Sequence, residues 1–392
     1  MTLARRHLVT ATLAAAATAL PVLRAYAAAV PNGYAPRGMI GRLERLPRLD
    51  LEARDDLSTD FRTWVNGGLN RAASDRAKAI IAARGLAPTA DLPLAEAVAL
   101  FQDDPVIAAS LHTWKNCQML MWRDLFAACY ADEDRLLSEL AEADGAGPGT
   151  LELNPGLAIP DYARHEIHMQ PGGYVGDAFA GHVYHYGTNN FYIGRNHQDG
   201  MHAAYAAAVP MPADGKVRRI LDMGTGIGQL AVALKQRFPE AEVWGVEVGA
   251  PMARYAHMRA AGLGADVNFA QRLAEDTKFP DGHFDIVASY ILFHEVSHPA
   301  CRAIMAEAFR VTRPGGVFFP MEVKMVRPQA PRTAYGRFRN WFTQEGINER
   351  WYLDYMDTDY TAEIARAGFI ARDDGPPAEK FAKGNVMGTR PV

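Results

Sequence analysis

With 392 residues the chain is long enough for about two domains and can bury a large core without staples. It is 49% hydrophobic, with a formal charge of −4 and both signs mixed, which marks a globular protein. No basic run or aromatic-interleaved basic patch points to nucleic acid, so a small-molecule partner is expected. The three cysteines, Cys117, Cys129 and Cys301, are widely spaced and odd in number, which argues against a disulfide framework.

The first 27 residues form a leader. Arg5-Arg6 precede an apolar, alanine-rich run from Leu8 to Leu20, then Pro21, and Ala25-Tyr26-Ala27 has the small-x-small form of a cleavage site. The paired arginines and Arg24 resemble a twin-arginine signal, although Ala4 and Thr10 depart from its usual flanks. Export to the periplasm is the expectation; the alternative is a cytoplasmic protein with an amphipathic or disordered start. No second apolar run is long enough for a membrane span. Residues 28–49 read as a linker, with Pro31, Gly33, Pro36, Gly38 and Pro47.

Residues 50–144 read as a helical domain. Phe61, Trp64, Val65 and Leu69 recur with a period near 3.6, with Ser58 or Asp60 as the capping candidate and Gly67-Gly68 interrupting the pattern. Leu92–Phe101, Val106–Cys129 and Leu136–Leu140 continue it. Trp114, Met119, Met121, Trp122 and Phe126 at helical spacing read as core, with a homodimer contact through these helices as the second choice. Gly145-Ala-Gly-Pro-Gly149 reads as a linker.

Residues 150–212 form a connecting region that holds six histidines: His165, His168, His182, His185, His197 and His202. Two His-x-x-His pairs make a metal site conceivable, but no cysteine joins them and the spacing matches no zinc pattern, so no metal is assigned. The segment reads instead as a lid, its rings and amides suited to an aromatic or polar small molecule, or as a glycine-containing loop whose polar groups satisfy one another.

Residues 213–392 carry the strongest signal. Ile220-Leu-Asp-Met-Gly-Thr-Gly-Ile-Gly228 reads as a strand ending in Asp222, a glycine turn and the start of a helix. Such a turn lets backbone N–H groups approach a ligand closely. The third glycine comes two residues after the second, where a dinucleotide fingerprint would have it three after. A second strand, Ala241–Val248, ends in Glu247, an acid placed 25 residues after Asp222 where it can take both ribose hydroxyls. Phe269–Val287 carries a third strand into a turn and then a fourth strand, and a fifth strand, Val317–Val323, follows Arg310-Val-Thr-Arg-Pro-Gly-Gly316.

This order resembles the class I S-adenosylmethionine-dependent methyltransferases over about residues 186–392. The resemblance implies an α/β fold: a Rossmann-like, mostly parallel sheet of seven strands with the last antiparallel, beside the N-terminal helical domain. It implies S-adenosylmethionine as cosubstrate, with Gly224, Thr225, Gly226 and Gly228 under the methionine part and Asp222 at its amino-acid end. Glu247 would take the ribose and Val248 would lie against the adenine. Leu273 stands where the family often has an acid, which leaves the backbone of Ala274 or Glu275 to read the ring. Ser289 and Tyr290 would face the methyl group, and the lid would bring Tyr192, Arg195 and Asn196 to the reacting centre.

Methyl transfer from a sulfonium is a direct displacement, so alignment of a small-molecule acceptor is the main task. His294, in Leu292-Phe-His-Glu-Val296, is the candidate base for an acceptor that must lose a proton. Two rivals remain: a degenerate methyltransferase fold that binds without turnover, and a nicotinamide-dependent oxidoreductase on a similar sheet.

Overall fold

The computed structural model describes residues 38–322 except 42 and 47, together with 332–375 and 385–392. The leader and most of the linker lie outside the described residues. No described helix is long and apolar enough to cross a membrane.

A short hairpin, β1 (Met39–Ile40) and β2 (Leu43–Glu44), leads into helix α1 (Leu49–Trp64). This helix starts earlier than its sequence suggests. Asp50 and Glu52 occupy its first turn, where negative charge suits the helix dipole, and both expected caps, Ser58 and Asp60, lie inside it. Gly67-Gly68 does not end the helix. The chain widens there into a π turn, Val65–Leu69, and continues as α2 (Asn70–Ala83), burying Ala73, Ala77 and Ile81 on one face.

Helix α3 (Leu94–Phe101) precedes the long α4 (Pro105–Tyr130). The carboxylate of Asp104 caps α4 by accepting from the N–H groups of Val106 and Ile107, with Pro105 at the first helical position. Met121, Trp122 and Phe126 are buried as core residues, whereas Met119 is exposed. Helix α5 (Glu133–Ala143) completes this layer.

The connecting region supplies β3 (Leu151–Glu152) and two helices, α6 (Ala180–Phe191) and α7 (Gly200–Ala208). The main sheet adds β4 (Arg219–Met223), β5 (Glu242–Glu247), β6 (Asn268–Gln271), β7 (Phe284–Tyr290), β8 (Thr312–Met321), β9 (Ile370–Gly375) and β10 (Asn385–Thr389). Its order is β3-β6-β5-β4-β7-β8-β10-β9, with β10 antiparallel to both neighbours. There are therefore eight strands, not seven. The extra edge strand is β3, parallel to β6 and tied to it where the Thr150 hydroxyl donates to Asn268 Oδ1 at 2.8 Å.

Side chains alternate across β4. Ile220 packs with helices α8 (Gln229–Arg237) and α9 (Ala250–Gly262); Leu221 and Met223 pack toward α10 (His298–Val311) and α13 (Tyr360–Arg366). Helix α11 (Ala334–Ile347), after β8, packs on α3, its Phe338 ring 5.6 Å from that of Phe101, and α12 (Tyr352–Asp357) follows. The sheet reverses its winding between β4 and β7, and the carboxyl ends of these strands open the crevice where ligands bind in such folds.

Candidate active site

The crevice begins at the end of β4. Asp222 is buried, with its Oδ2 accepting from the Thr225 hydroxyl at 2.6 Å and its Oδ1 without a hydrogen-bond partner. Burial raises its pKa to about 7, against the lowering effect of the Thr225 bond. Gly226 has φ of +56°, and a Cβ there would meet nothing nearer than Met252 Cε at 4.0 Å, so it would project into open space. That space is lined by Gly224, Gly226, Glu247, Val248, Ala274 and Tyr290, among others. Gly228 serves a different end. A Cβ on it would press on Phe269 Cζ at 2.7 Å, so this glycine lets α8 sit close on the sheet and does not line the cavity.

Glu247 closes β5. Its Oε2 accepts from the Gly226 N–H at 2.9 Å and its Oε1 from the Gly249 N–H at 3.0 Å. Each oxygen keeps a lone pair for a further donor. Burial raises its pKa to about 7. Tyr162 and Tyr174 from the connecting region cover this part of the cavity. Thus a ligand with a cationic end and a vicinal diol meets a buried, half-satisfied carboxylate at Asp222, a second carboxylate at Glu247 and open backbone between them.

A second cavity of about 470 Å³ lies beyond Tyr184, Tyr290 and Ile291, which line both spaces. Its walls include Phe191, Tyr192, Arg195, Tyr205, Tyr352 and Tyr355. The Tyr192 and Tyr290 hydroxyls are hydrogen-bonded at 2.9 Å. His168, Ile193 and Ile291 on its wall all have left-handed φ, of 51°, 56° and 48°. That backbone is unfavourable for β-branched residues and tends to gather at functional sites.

His294 lines this cavity, its Nδ1 2.8 Å from Glu322 Oε2. Burial works to lower its pKa, but Glu322 outweighs burial and raises it to about 9. The same balance, with Glu349 and Glu295 as partners, raises His168 to about 10. Both rings therefore hold a proton near neutrality in the ligand-free protein, which counts against His294 as a base there.

The structure separates the residues that the sequence groups together. Asp222, Gly224, Thr225, Gly226, Glu247, Val248, Ala274 and Tyr290 line the crevice, and Tyr192 and Arg195 line the second cavity. Four others do not line it. Asn196 is buried away from it, holding His202 and the Met201 N–H. Of the two backbone candidates for the adenine, Ala274 lines the crevice, and the Glu275 carboxylate accepts from the Tyr162 hydroxyl at 2.7 Å and braces that wall residue. Ser289 follows the strand's alternation to the face opposite Tyr290, and Gly228 packs α8.

The expected lid is a helix, α6, whose Tyr184 and Phe191 form walls between and beside the two spaces. The His-x-x-His pairs also part. His182 and His185 pack on Tyr255, at centroid distances of 4.5 and 5.7 Å, and burial lowers the pKa of both, so they are core residues. His165 lines the crevice, while His168 turns to Glu295 and Glu349.

Comparison with known proteins agrees with this geometry. Residues 220–316 match a family described as a methyltransferase domain. A demethylmenaquinone methyltransferase of Thermus thermophilus is 36% identical over 33% of this chain and 56% of its own length. The ubiquinone/menaquinone biosynthesis C-methyltransferase UbiE of Cupriavidus necator is 34% identical over 28% of this chain and 44% of its own. The chain thus spans about half the length of these curated relatives. Among solved structures, an O-methyltransferase family protein from Burkholderia thailandensis aligns at 15% identity and a TM-score of 0.40, over 53% of this chain and 60% of that one. Residues 220–316 thus match a methyltransferase domain, and the strand order, the glycine turn and the acid ending β5 agree with the resemblance to class I S-adenosylmethionine-dependent methyltransferases.

Proposed function

We propose that the protein transfers a methyl group from S-adenosylmethionine to a small, ring-bearing acceptor by direct displacement. One observation carries the reading: the crevice over Gly226 and the 470 Å³ cavity share Tyr184, Tyr290 and Ile291 as a common wall. A donor over the glycine turn and an acceptor in the cavity would meet there.

Bound S-adenosylmethionine supplies an already activated methyl group. The chain's own residues hold and orient. Asp222 Oδ1, buried and unpartnered, accepts from an ammonium group. Glu247 accepts from ribose hydroxyls while Gly226 and Gly249 keep its carboxylate fixed. Tyr184, Phe191, Tyr205 and Tyr352 give the acceptor flat apolar walls, and Arg195 adds a guanidinium. The relatives named for menaquinone and ubiquinone biosynthesis support a planar acceptor of this kind. The walls exclude water, and alignment of acceptor and methyl group supplies most of the rate.

The test is transfer of labelled methyl from S-adenosylmethionine into organic-extractable small molecules, run beside calorimetric binding. Binding with transfer supports the reading. Binding without transfer to any extract would make the protein a binding module, and binding of NAD in place of S-adenosylmethionine would overturn the reading.

A further inference from the structure

Beside Tyr174 and Tyr355 lies a cluster that methyl transfer does not itself require. His168, from the connecting region, and His294 and Glu295, just past β7, each place one ligand atom within 4.8 Å of the others. His168 Nε2 is 3.3 Å from Glu295 Oε1, and His294 Nε2 is 3.9 Å from the same oxygen.

The far side of each ring is also occupied. His168 Nδ1 lies 2.5 Å from Glu349 Oε1, and His294 Nδ1 lies 2.8 Å from Glu322 Oε2. Both imidazoles are thus gripped at Nδ1 by a buried carboxylate and present Nε2 to one shared carboxylate oxygen. A carboxylate behind a histidine is the arrangement that fixes a metal-binding imidazole in its tautomer and orientation.

We propose that His168 Nε2, His294 Nε2 and Glu295 Oε1 bind one divalent transition ion on the wall of the acceptor cavity. Bonds of about 2.0–2.2 Å put tetrahedral ligand atoms about 3.4 Å apart, so the pairs at 3.3 and 3.9 Å need small side-chain adjustments and the two imidazoles must close up within the 4.8 Å spread of the cluster. Two imidazoles and one carboxylate suit zinc or ferrous iron better than magnesium, which prefers oxygen ligands. The cluster is rich in negative charge, with Glu295, Glu322 and Glu349 against two imidazoles, and Glu349 Oε2 has no hydrogen-bond partner. His168 and His294 line the acceptor cavity, so an ion held by three protein atoms keeps its open positions toward it. The ligand class those positions accept is an oxygen donor, such as an ionised ring hydroxyl. That use of the ion rests on the methyl-transfer reading; the binding of the ion does not.

The test uses the full chain, stripped with a chelator and titrated with Zn²⁺ by calorimetry and with Co²⁺ by visible absorption, without S-adenosylmethionine. The expected result is one ion per chain, with the Co²⁺ bands of a four- or five-coordinate site, and no competition from Mg²⁺. His168→Asn suits the left-handed backbone at this position and, like Glu295→Gln, should lose the ion. Glu349→Gln should weaken it by roughly 10–100-fold. Melting curves show which variants remain folded. Absence of a Co²⁺ spectrum in the stripped wild-type chain overturns the proposal whatever the variants do. Unchanged affinity in a folded His168→Asn or Glu295→Gln chain overturns it as well.

Discussion

The two halves of the crevice are built in different ways. The donor half takes its carboxylates and its open backbone from one strand–turn–helix unit and the end of the next strand, with Asp222, Gly224, Gly226 and Glu247 close in sequence, while Tyr162, Tyr174, Ala274 and Tyr290 wall it from elsewhere in the chain. The acceptor half draws on residues from Asn66 to Asn385, including α6, the turns after β7 and β8, and α12. The polar part of the donor half is thus a local device. The acceptor half exists only once the helices of the N-terminal half and those after β8 have packed around the sheet. Substitutions should therefore act differently on the two halves.

The largest effect is expected at Gly226→Val, which should reduce S-adenosylmethionine binding below calorimetric detection. A branched side chain would fill the open space above the turn and is strained at φ of +56°. Retained binding in a folded variant would erase the distinction between the halves. Tyr192→Ala and Arg195→Ala should leave donor affinity nearly unchanged and cut methyl transfer by on the order of a hundredfold, because they align only the acceptor. Equal losses of binding and turnover would mean that the two halves are not separable. Glu247→Ala should weaken donor binding by roughly 1.5–3 kcal/mol, with melting curves separating that loss from the loosened Gly226 and Gly249 backbone.

A smaller and sharper effect is expected from pH. Burial raises Asp222 and Glu247 to about 7 in the ligand-free fold, well above the range of unfolded carboxylates. Their ionisation therefore costs the ligand-free fold stability as pH rises from about 4 to about 7, and that cost is absent below the unfolded values. A cationic donor favours the ionised form. Below pH 7, affinity should rise by up to about tenfold per pH unit for each carboxylate that must ionise, and level off above it. The thermal stabilisation by S-adenosylmethionine should accordingly be larger at pH 8 than at pH 6. A flat profile would mean that neither carboxylate touches the donor.

The same contrast explains what could be read from the sequence. Asp222, Gly224, Gly226 and Glu247 are legible because strand, turn and helix each leave a short-range pattern. Gly228 looked like part of the ligand turn because its real partner, Phe269, belongs to another strand. Facing leaves no mark in the sequence: Ser289 lies on the side of the pleat opposite Tyr290, and Asn196 turns inward to His202. The two-residue β3 is too short to show an alternation, and the π turn at Gly67-Gly68 reads as an interruption although the helix carries on. The pairing of His168 with Glu295 joins residues 127 apart, which spacing within the histidine-rich segment cannot show.

The most direct test of the account is a crystal structure of the full chain with S-adenosylhomocysteine. The account predicts the ligand's ammonium within about 3.2 Å of Asp222 Oδ1, its ribose hydroxyls on Glu247, and its sulfur turned past Tyr290 toward the 470 Å³ cavity. A ligand bound elsewhere, or one whose sulfur faces away from that cavity, would contradict it.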